Sequence, residues 1–572
     1  MKELSPEKRA LLAGVLSLLV IVAWSYFFAP KPKPQPPATS PAATQPAPQP
    51  GTQPGPPAPA QVKAAPPASR QAKAAAEEKT IVVENGLYRV ELSNRGAVVR
   101  SWVLKKYTDD NKPPKPLDLV HAETAPKFGW PFSLALDDSA LEQQINAALF
   151  EVTPSSGPLD APAEVRFEWS DARTSVSKRL KFAPGSYVVH IETSVTVDGQ
   201  PRAHNLAWRG GFGDPTVYLA AEQVQAFFSA VAKFTAVPNK ELGVPDQPAQ
   251  RQRRASNADF GGIQDLYFAA AFVPEKPGTL TLTDWRLERD VVIEGKPAKQ
   301  PLAEVAVGSS EAAGPLALRV FVGPKDLDIL KAQNPPLGQL VDFGWMEFIA
   351  APLFYFLRWI YGYVPNYGWA IIILTVAINM VLFPLKLKSW RSMQKMQRVA
   401  HEVKSIQERY KKYGMRDPRK QQMNQEIMEL YKRHGINPVG GCLPMLLQMP
   451  IWFGLYRMLT VTIELRHAPW IWWIRDLSVK DPYYILPVLM GLTMYAMQKM
   501  TPMTATDPAQ QKMLTFMPLM FGGMFVIFPV SSGLVLYILS SNLVGIAQQW
   551  YLNKYAPAEL KPGHGKKKPQ NT

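Results

Sequence analysis

Long apolar segments constrain this chain more than any other feature of its sequence. Residues 11–28 form an uncharged run, and five further apolar segments lie near the C-terminal end, at residues 368–383, 438–459, 484–500, 513–528 and 534–551. A helix needs about 20 residues to cross roughly 30 Å of hydrocarbon. The sequence therefore predicts a polytopic α-helical membrane protein with six transmembrane helices.

The first apolar segment has two interpretations, a cleavable signal peptide or a signal anchor that stays in the protein. Signal peptidase prefers small residues before the cleaved bond, whereas here Phe27 and Ala29 would occupy those positions and Pro30 would follow. Residues 1–28 are therefore predicted to be an uncleaved signal anchor. Lys8 and Arg9 precede the apolar run and predict a cytoplasmic N-terminus.

Residues 29–335 have a different composition. Residues 29–79 are rich in Pro and Ala and predict an extended linker that cannot bury a core. From residue 80 the chain alternates short β-branched and aromatic runs, at 81–83, 88–92, 97–104, 164–169, 187–197 and 317–322, with turn signals such as Asn85-Gly86 and Asp198-Gly199. Residues 80–335 are thus predicted to form a large β-sandwich domain.

The charges give an independent test of topology. Alternating six spans from a cytoplasmic N-terminus places the β-sandwich domain outside, and it places residues 386–437 and the tail 554–572 inside. Residues 386–433 carry a net charge of +9, residues 552–572 carry +4 and residues 1–10 carry +1, out of +16 for the chain. Positive charges concentrate in cytoplasmic loops, so this distribution supports the predicted topology. Residues 336–366 are predicted to be an interfacial amphipathic helix.

The segment 386–437 shows apolar residues at heptad spacing in two halves, which predicts a helical hairpin: Met393, Met396, Val399, Val403, Ile406 and Tyr410, then Met423, Ile427, Leu430 and His434. Its charges suit either a solvated structural coil or a surface that docks anionic partners such as ribosomal RNA or lipid head groups. The candidate docking residues are Lys411, Lys412, Arg416, Arg419 and Lys420, with Lys566, Lys567 and Lys568 in the tail.

The predicted spans hold few ionisable residues, which argues against an ion-coupled transporter. Several spans instead carry neutral polar residues, namely Thr375, Asn379, Gln448, Thr493, Ser540, Ser541 and Asn542. Such groups act either as hydrogen-bonding contacts between helices or as the lining of a hydrated cavity. Cys442 is the only cysteine, so the chain has no intrachain disulfide and no paired-cysteine metal or redox motif.

The β-sandwich domain contains no convincing catalytic set. His190, His204 and Asp214 are scattered among ordinary strand and loop positions and are predicted to be structural. We therefore expect no enzyme activity, no cofactor and no metal site.

Four C-terminal motifs carry a resemblance to a known family. They are Gly440-Gly441-Cys442-Leu443-Pro444 running into Leu447-Gln448-Met449-Pro450-Ile451, then Asp481-Pro482-Tyr483-Tyr484-Ile485-Leu486-Pro487, Thr506-Asp507-Pro508-Ala509-Gln510-Gln511-Lys512, and Ser532-Gly533-Leu534-Val535-Leu536-Tyr537 with Ser541-Asn542-Leu543. Together they resemble the YidC/Oxa/Alb family of membrane protein insertases. The order of anchor, linker, β-domain and helices is similar to the long Gram-negative form, whose outer domain is a β-supersandwich.

The resemblance implies a function and a location. Members insert, fold and laterally release hydrophobic segments of new proteins into the bacterial inner membrane, alone or with the Sec translocon and without nucleotide hydrolysis. It implies cytoplasmic termini, a periplasmic β-domain and a five-helix core over residues 367–553. The expected partners are nascent membrane proteins, the Sec translocon, the ribosome, the signal recognition particle receptor and the lipid bilayer, with no specific DNA and no cofactor.

The resemblance also implies a hydrophilic substrate groove. Its residues in this chain are Thr375, Asn379, Gln448, Met449, Pro450, Thr493, Met517, Met524, Tyr537, Ser541 and Asn542. The family commonly has an arginine where this chain has Asn379, so we expect a groove that is polar but uncharged. Two other functions remain open at this point: a small-solute transporter or channel, and a membrane-tethered carbohydrate-binding protein.

Overall fold

The computed structural model describes twelve stretches of the chain: residues 72–155, 157–217, 225–230, 233–238, 252–275, 280–293, 296–309, 314–413, 417–437, 443–501, 508–527 and 530–555. Within them the chain divides into two compact units. One unit contains residues 72–351 with 457–466, and the other contains residues 352–456 with 467–555. The predicted signal anchor and most of the predicted linker lie outside the described residues.

The first unit is rich in β-strands. Its described strands are β1 (Thr80–Glu84), β2 (Tyr88–Ser93), β3 (Val98–Thr108), β4 (Pro116–Asp118), β5 (Ser133–Ala135), β6 (Glu151–Thr153), β7 (Leu159–Asp160), β8 (Ala163–Ser170), β9 (Thr174–Phe182), β10 (Val188–Val197), β11 (Gln200–Pro201), β12 (Asn205–Trp208), β13 (Gln225–Ala230), β14 (Lys233–Pro238), β15 (Gln252–Ala258), β16 (Phe260–Gln264), β17 (Phe268–Pro274), β18 (Leu280–Ile293), β19 (Lys296–Ser309) and β20 (Leu316–Pro324). Three short helices interrupt them: α1 (Ala125–Phe128), α2 (Ser139–Ala147) and α3 (Leu327–Lys331).

These strands form three sheets. The largest has ten strands in the order β14-β13-β16-β17-β20-β10-β9-β8-β6, with β11 paired to β10, and two five-stranded sheets have the orders β4-β3-β2-β1-β7 and β15-β18-β19-β12-β5. In β9 every second residue is buried, which is the pattern of a sheet with one face on a core. The six segments predicted as strands coincide with strands to within one residue at their ends, so the β-rich character of the predicted domain is confirmed.

A column of aromatic rings joins two of the sheets. The ring of Trp102 on β3 lies 6.1 Å from Phe132, Phe132 lies 6.0 Å from Trp208 on β12, and Trp208 lies 5.1 Å from Phe212. All four side chains are buried, and the edge-to-face geometry adds to the stabilisation from their buried area. The column therefore forms a continuous aromatic core between the sheet of β3 and the sheet of β12.

A buried lysine on β9 ties that strand to two loops. Lys178 Nζ donates to the carbonyl oxygens of Gly96 at 2.9 Å, Ala97 at 3.0 Å and Phe132 at 2.8 Å. An ammonium group has three donors, so all of them are used. This explains how a side chain only 1% exposed remains hydrogen-bonded in the core.

The rest of the chain is helical. The helices are α4 (Glu347–Tyr363), α5 (Tyr367–Arg398), α6 (Ala400–Arg409), α7 (Arg419–Arg433), α8 (Leu443–Val461), α9 (Ile485–Met500), α10 (Pro508–Ile527) and α11 (Ser532–Tyr555). Of the described helices, α5 is long and apolar enough to cross a membrane by length and composition. Helices also occupy the other four C-terminal segments predicted as spans, and the count of six crossings stays a prediction.

Helix α4 presents large aromatic side chains on its surface. Trp345 just before it and Phe348, Trp359 and Tyr363 within it are between 58% and 78% exposed. An exposed aromatic row on a helix is typical of a segment that lies in a membrane interface. The location of α4 at such an interface stays a prediction.

The predicted hairpin is present as α6 and α7. Val399, Val403, Ile406, Leu430 and Ile436 form its buried cluster, with Met396, Tyr410, Met423, Ile427 and Tyr431 packed against it. His434, which was predicted to continue the apolar stripe, has a side chain 45% exposed and lies 3.8 Å from Glu402. Part of the predicted turn, residues 414–416, lies outside the described residues.

Helices α9 and α10 meet at a pair of glycines. A Cβ atom added at Gly522 would lie 2.9 Å from the Cα atom of Gly491, which is closer than two carbon atoms pack. A Cβ atom added at Gly491 would lie 3.4 Å from the Cα atom of Gly522, which is an ordinary contact. The close approach of the two backbones therefore depends on the missing side chain of Gly522.

A buried histidine predicts that the β-rich unit loses stability in acid. His121 Nε2 lies 3.2 Å from the carbonyl oxygen of Gly213, and its Nδ1 has no hydrogen-bond partner within the described part of the chain. Burial, aided by the positive charge of Arg289, lowers the pKa of His121 to about 3. The unfolded chain binds a proton near its ordinary pKa of about 6.5, so the stabilising contribution is complete above that pH and is lost as the pH falls toward 3.

We expect the urea midpoint of the purified full-length protein to fall less between pH 7 and pH 4 in His121→Asn than in the wild type. Tryptophan fluorescence would follow the unfolding. The control is His401→Asn, because His401 is exposed on α6 outside the β-rich unit, and this variant should fall as much as the wild type. Equal falls in the wild type and in His121→Asn would contradict the prediction.

Candidate polar groove among the C-terminal helices

Helix α11 is the element on which the polar side chains of three other helices converge. Tyr537, Ser541 and Gln548 recur at spacings of four and seven residues, so they share one face of the helix, and Asn542 lies beside them. Each of these four side chains has a hydrogen-bond partner on another helix. The polar residues predicted as groove lining are thus partly gathered around a single helix.

The contact between α5 and α11 centres on Asn379. Its side chain is fully buried, and its Nδ2 donates to the carbonyl oxygen of Thr375 at 2.8 Å and lies 3.4 Å from Ser541 Oγ. Thr375 is also fully buried, and its hydroxyl donates to the carbonyl oxygen of Ile371 at 2.6 Å. The two predicted groove residues on α5 are therefore satisfied within the helix and against α11.

A lysine lies beside Asn379, a neighbour that the expectation of a polar, uncharged groove did not include. Lys386 Nζ donates to Asn379 Oδ1 at 2.6 Å and to Gln548 Oε1 at 3.1 Å. Gln548 Nε2 in turn donates to the carbonyl oxygen of Asn379 at 3.1 Å. Sequence reasoning had assigned Lys386 to the start of the cytoplasmic segment 386–437, whereas α5 continues unbroken to Arg398.

Lys386 could have been found from its spacing. It lies seven residues after Asn379, and two turns of helix place both residues on one face. Side chains also lean toward the N-terminus of their helix, so the stem of Lys386 points back at Asn379. The missed partner Gln548 stands in the same relation to Ser541 on α11.

A second contact joins α8 to α11. Gln448 Nε2 donates to the hydroxyl of Tyr537 at 3.0 Å, and the Tyr537 side chain is only 2% exposed. Met449 is 49% exposed, and Pro450 lies inside α8. Within this predicted segment the structure thus turns Gln448 toward α11 and leaves Met449 on the surface of the unit.

A third contact joins α9 to α11. Asn542 Nδ2 lies 3.3 Å from Thr493 Oγ1 and 3.5 Å from the carbonyl oxygen of Met490. Thr493 Oγ1 is also 2.9 Å from the carbonyl oxygens of Leu489 and Met490 on its own helix. Met517 and Met524 lie on α10, outside this hydrogen-bonded set, and Met517 is 39% exposed.

The predicted docking residues differ in how freely their charges are presented. Arg419 Nη2 pairs with Asp417 Oδ2 at 2.8 Å, and its guanidinium carbon lies 3.8 Å from the ring centre of Tyr413. Lys412 Nζ lies 5.2 Å from the same ring, and Lys411 is exposed. Lys420 Nζ lies 4.0 Å from Met423 Sδ. Arg416 and Lys566, Lys567 and Lys568 lie outside the described residues.

The β-rich unit does not bring its scattered candidates together. His190 pairs with Glu275 at 2.7 Å on the surface, and His204 lies between Thr193 Oγ1 and the carbonyl oxygen of Arg202. Asp214 Oδ2 forms a buried ion pair with Arg466 at 2.6 Å, inside the same unit. Each of the three side chains bonds to a different partner and none contacts another of the three. The described part of the unit therefore assembles no catalytic set from these residues.

Comparisons with known proteins identify the family. Residues 80–356 match the model described as the YidC periplasmic domain, and residues 359–559 match that of the 60Kd inner membrane protein. A protein of Geobacter metallireducens named membrane protein insertase YidC is 38% identical and covers 97% of this chain and 100% of its own length. A protein of the same name from Syntrophus aciditrophicus is 34% identical, and the match covers 96% of this chain and 100% of that protein's length.

The chain belongs to the YidC family. A crystal structure described as an active YidC insertase with its first transmembrane domain resolved aligns at 17% identity, covering 85% of this chain and 95% of that chain. The TM-score of that alignment is 0.34. Membership in the YidC family does imply an inner membrane protein with a helical membrane core and a periplasmic domain, and the periplasmic match falls on the β-rich unit.

Proposed function

We propose that this YidC-family protein inserts hydrophobic segments of newly made proteins into the inner membrane and releases them sideways into lipid. The observation that carries this proposal is the set of polar contacts on α11, which gathers side chains of α5, α8 and α9 in the segment matching the inner membrane protein family. Its curated relatives named above are insertases by name. Family membership favours insertion over solute transport or carbohydrate binding.

A polar surface inside a helical membrane unit lowers the barrier to moving a polar tail across lipid. Each backbone group that enters hydrocarbon without a hydrogen-bond partner costs several kcal/mol. Side-chain amides, hydroxyls and the ammonium of Lys386 offer such partners along the route. Transfer of the client's apolar segment into lipid, at about 25 cal/mol per Å², supplies the driving force without nucleotide hydrolysis.

The proposed function includes an orientation of the protein in the membrane and a set of partners. Both termini and the α6–α7 hairpin lie in the cytoplasm, and the β-rich unit lies in the periplasm, as the positive-inside charge distribution supports. Clients arrive from the ribosome or from the Sec translocon, and the basic hairpin and tail are the docking surface. The signal recognition particle receptor is a further cytoplasmic partner, and the surrounding bilayer receives the product.

Reconstitution gives the direct test of function. Purified full-length protein in liposomes should protect the tail of a single-span client from added protease, whereas empty liposomes should not. A second arm measures efflux of a small dye from the same vesicles, which a channel would release. Dye release without tail protection would contradict the proposed function.

The exit route gives a sharper prediction. Met449 on α8 and Met517 on α10 are exposed and lie in the segments that the family resemblance assigns to client contact. A photo-crosslinking amino acid at either position should trap a nascent hydrophobic segment. The matched control is Val381, which is 79% exposed but lies two residues from Asn379 and so on another side of α5. Equal trapping at all three positions would mean that contact with the client is not directional.

Ribosome docking should depend on Lys411 and Lys412 at the hairpin tip, neither of which has an ion-pair partner among the described residues. Lys411→Gln combined with Lys412→Gln should weaken co-sedimentation with ribosomes and lower the salt dependence by about one unit of slope per lost phosphate contact. Asp417→Asn should strengthen binding, because it releases Arg419 from its carboxylate partner. Identical salt curves for all of these proteins would assign the basic charge to topology alone.

A further inference from the structure

The loop at residues 467–484, between α8 and α9, is bonded to the first residues of three helices. Asn366, the residue before α5, donates its Nδ2 to two carbonyl oxygens of the loop, both at 3.2 Å. Ser532, the first residue of α11, donates its hydroxyl to another loop carbonyl oxygen at 2.7 Å. Asp481 Oδ2 accepts from the backbone N–H of Leu486 in the first turn of α9, also at 2.7 Å. The loop therefore lies at the end of the helical unit where α5, α9 and α11 begin.

Two of the three tryptophans in this loop are turned toward the protein. The ring of Trp470 packs directly against the backbone of Gly368. Trp473 Nε1 donates to Asp481 Oδ1 at 3.1 Å, and Asp481 is only 2% exposed. These contacts fix the chain on both sides of the third tryptophan, Trp472.

Trp472 is held on the surface. At 86% it is the most exposed large apolar side chain in the part of the chain that the structure describes. Its φ of 42° lies in the left-handed region, where bulky residues are strained and where such strain marks functional positions. The turn that carries it is closed by a bond from the backbone N–H of Ile474 to the carbonyl oxygen of Ile471 at 2.9 Å. The local backbone thus presents the indole outward.

The surroundings of this indole have the chemistry of a membrane boundary. Helix α5, which is long and apolar enough to cross a membrane, begins at Tyr367 beside the loop. Trp369 in its first turn is 46% exposed, and Tyr483 in the loop is 68% exposed. Arg475 and Lys480 of the loop are also exposed, and cations of this kind bind lipid phosphates.

We infer that Trp472 is a lipid anchor, whose indole inserts between the glycerol groups and head groups of the outer leaflet of the inner membrane. This inference rests on the orientation given under the proposed function. An indole has an apolar ring and one N–H donor, and such side chains concentrate where hydrocarbon meets water. Because the loop is bonded to α5, α9 and α11, the anchor sets the depth of these three helices together.

A second protein is the other partner that an exposed tryptophan suits. Lipid is favoured because the neighbouring exposed side chains are aromatic or cationic and surround the start of a membrane-crossing helix. This is the composition of a membrane interface.

Quenching by nitroxides attached to lipids at different depths tests the anchor. Full-length protein with Cys442→Ser and Trp472→Cys is labelled with an environment-sensitive fluorophore and placed in vesicles of phosphatidylethanolamine and phosphatidylglycerol. The nitroxide is at the head group, beside the glycerol backbone or at the end of the acyl chain. We expect the strongest quenching beside the glycerol backbone. The matched control, Lys411→Cys in the same background, carries its label on the exposed hairpin and should be quenched weakly at every depth. Equal quenching of the two labels would overturn the inference.

A second reporter keeps the native tryptophan in place. With the label at Tyr483→Cys, Trp472→Ala should lower quenching beside the glycerol backbone by about half, because the loop moves outward without its anchor. Trp472→Tyr retains an amphipathic ring and should keep the quenching. Val479→Ala shortens another exposed side chain of the same loop and should leave the quenching unchanged. The same quenching with Trp472→Ala as with the native tryptophan would overturn the inference.

The alternative partner gives a different result in the same vesicles, which contain no second protein. If Trp472 served to dock a protein, the label at position 472 would remain in water, and soluble iodide would quench it as strongly as the hairpin label. That result would overturn the inference. Tail protection of a client is measured in parallel, and its loss with lipid quenching intact would remove the proposed function while supporting the anchor, so the two failures are distinguishable.

Discussion

Lipid offers no hydrogen bonds, so a polar side chain within a membrane unit must find its partner inside the protein. Helix α11 meets this requirement for α5, α8 and α9. Tyr537, Ser541, Asn542 and Gln548 each bond to a different neighbouring group, and without α11 each of those groups would lose one hydrogen bond. Because each interhelical bond of this kind contributes about 0.6 to 1.7 kcal/mol, the arrangement depends on several modest contacts rather than on one strong contact.

Buried charged side chains in the β-rich unit also have hydrogen-bond partners inside the protein. The aromatic column of this unit fills the space between two sheets, and two cationic side chains buried in the same unit are bonded to backbone carbonyls or to a carboxylate. Lys178 uses its three donors on carbonyl oxygens, and Arg209 pairs with Glu142 at 2.7 Å, with side chains 7% and 8% exposed. Such groups fix the position of loops relative to strands because any shift would leave a buried charge unpaired.

Local sequence patterns predicted the strands and helices well, because hydrophobic periodicity and turn preference depend on residues that are close in the sequence. Alternation located the strand that precedes Asp198-Gly199, a turn in which both residues have positive φ, of 51° and 81°. Heptad spacing located α6 and α7 and most of their core. The order of the ten-stranded sheet was beyond this reasoning, since pairs such as β10 with β20 join residues far apart in the chain.

The candidate site was predicted residue by residue, but its connections were not. Gln448 and Tyr537 were both assigned to the groove, yet nothing local shows that one donates to the other. Lys386 was missed because a charge at the end of an apolar run indicates the membrane boundary, and only the reach of its side chain brings it back to Asn379. Long flexible side chains are thus where a prediction from backbone position is least complete.

The glycine crossing of α9 and α10 makes the two sides of this helical unit mechanically unequal. Around α11, separating helices breaks directional bonds, and each broken bond leaves a polar group facing hydrocarbon. At Gly491 and Gly522 the contact is between backbones, and it depends on close van der Waals packing rather than on a directional bond. A side chain added at Gly522 would therefore push α9 and α10 apart without leaving a polar group unpaired.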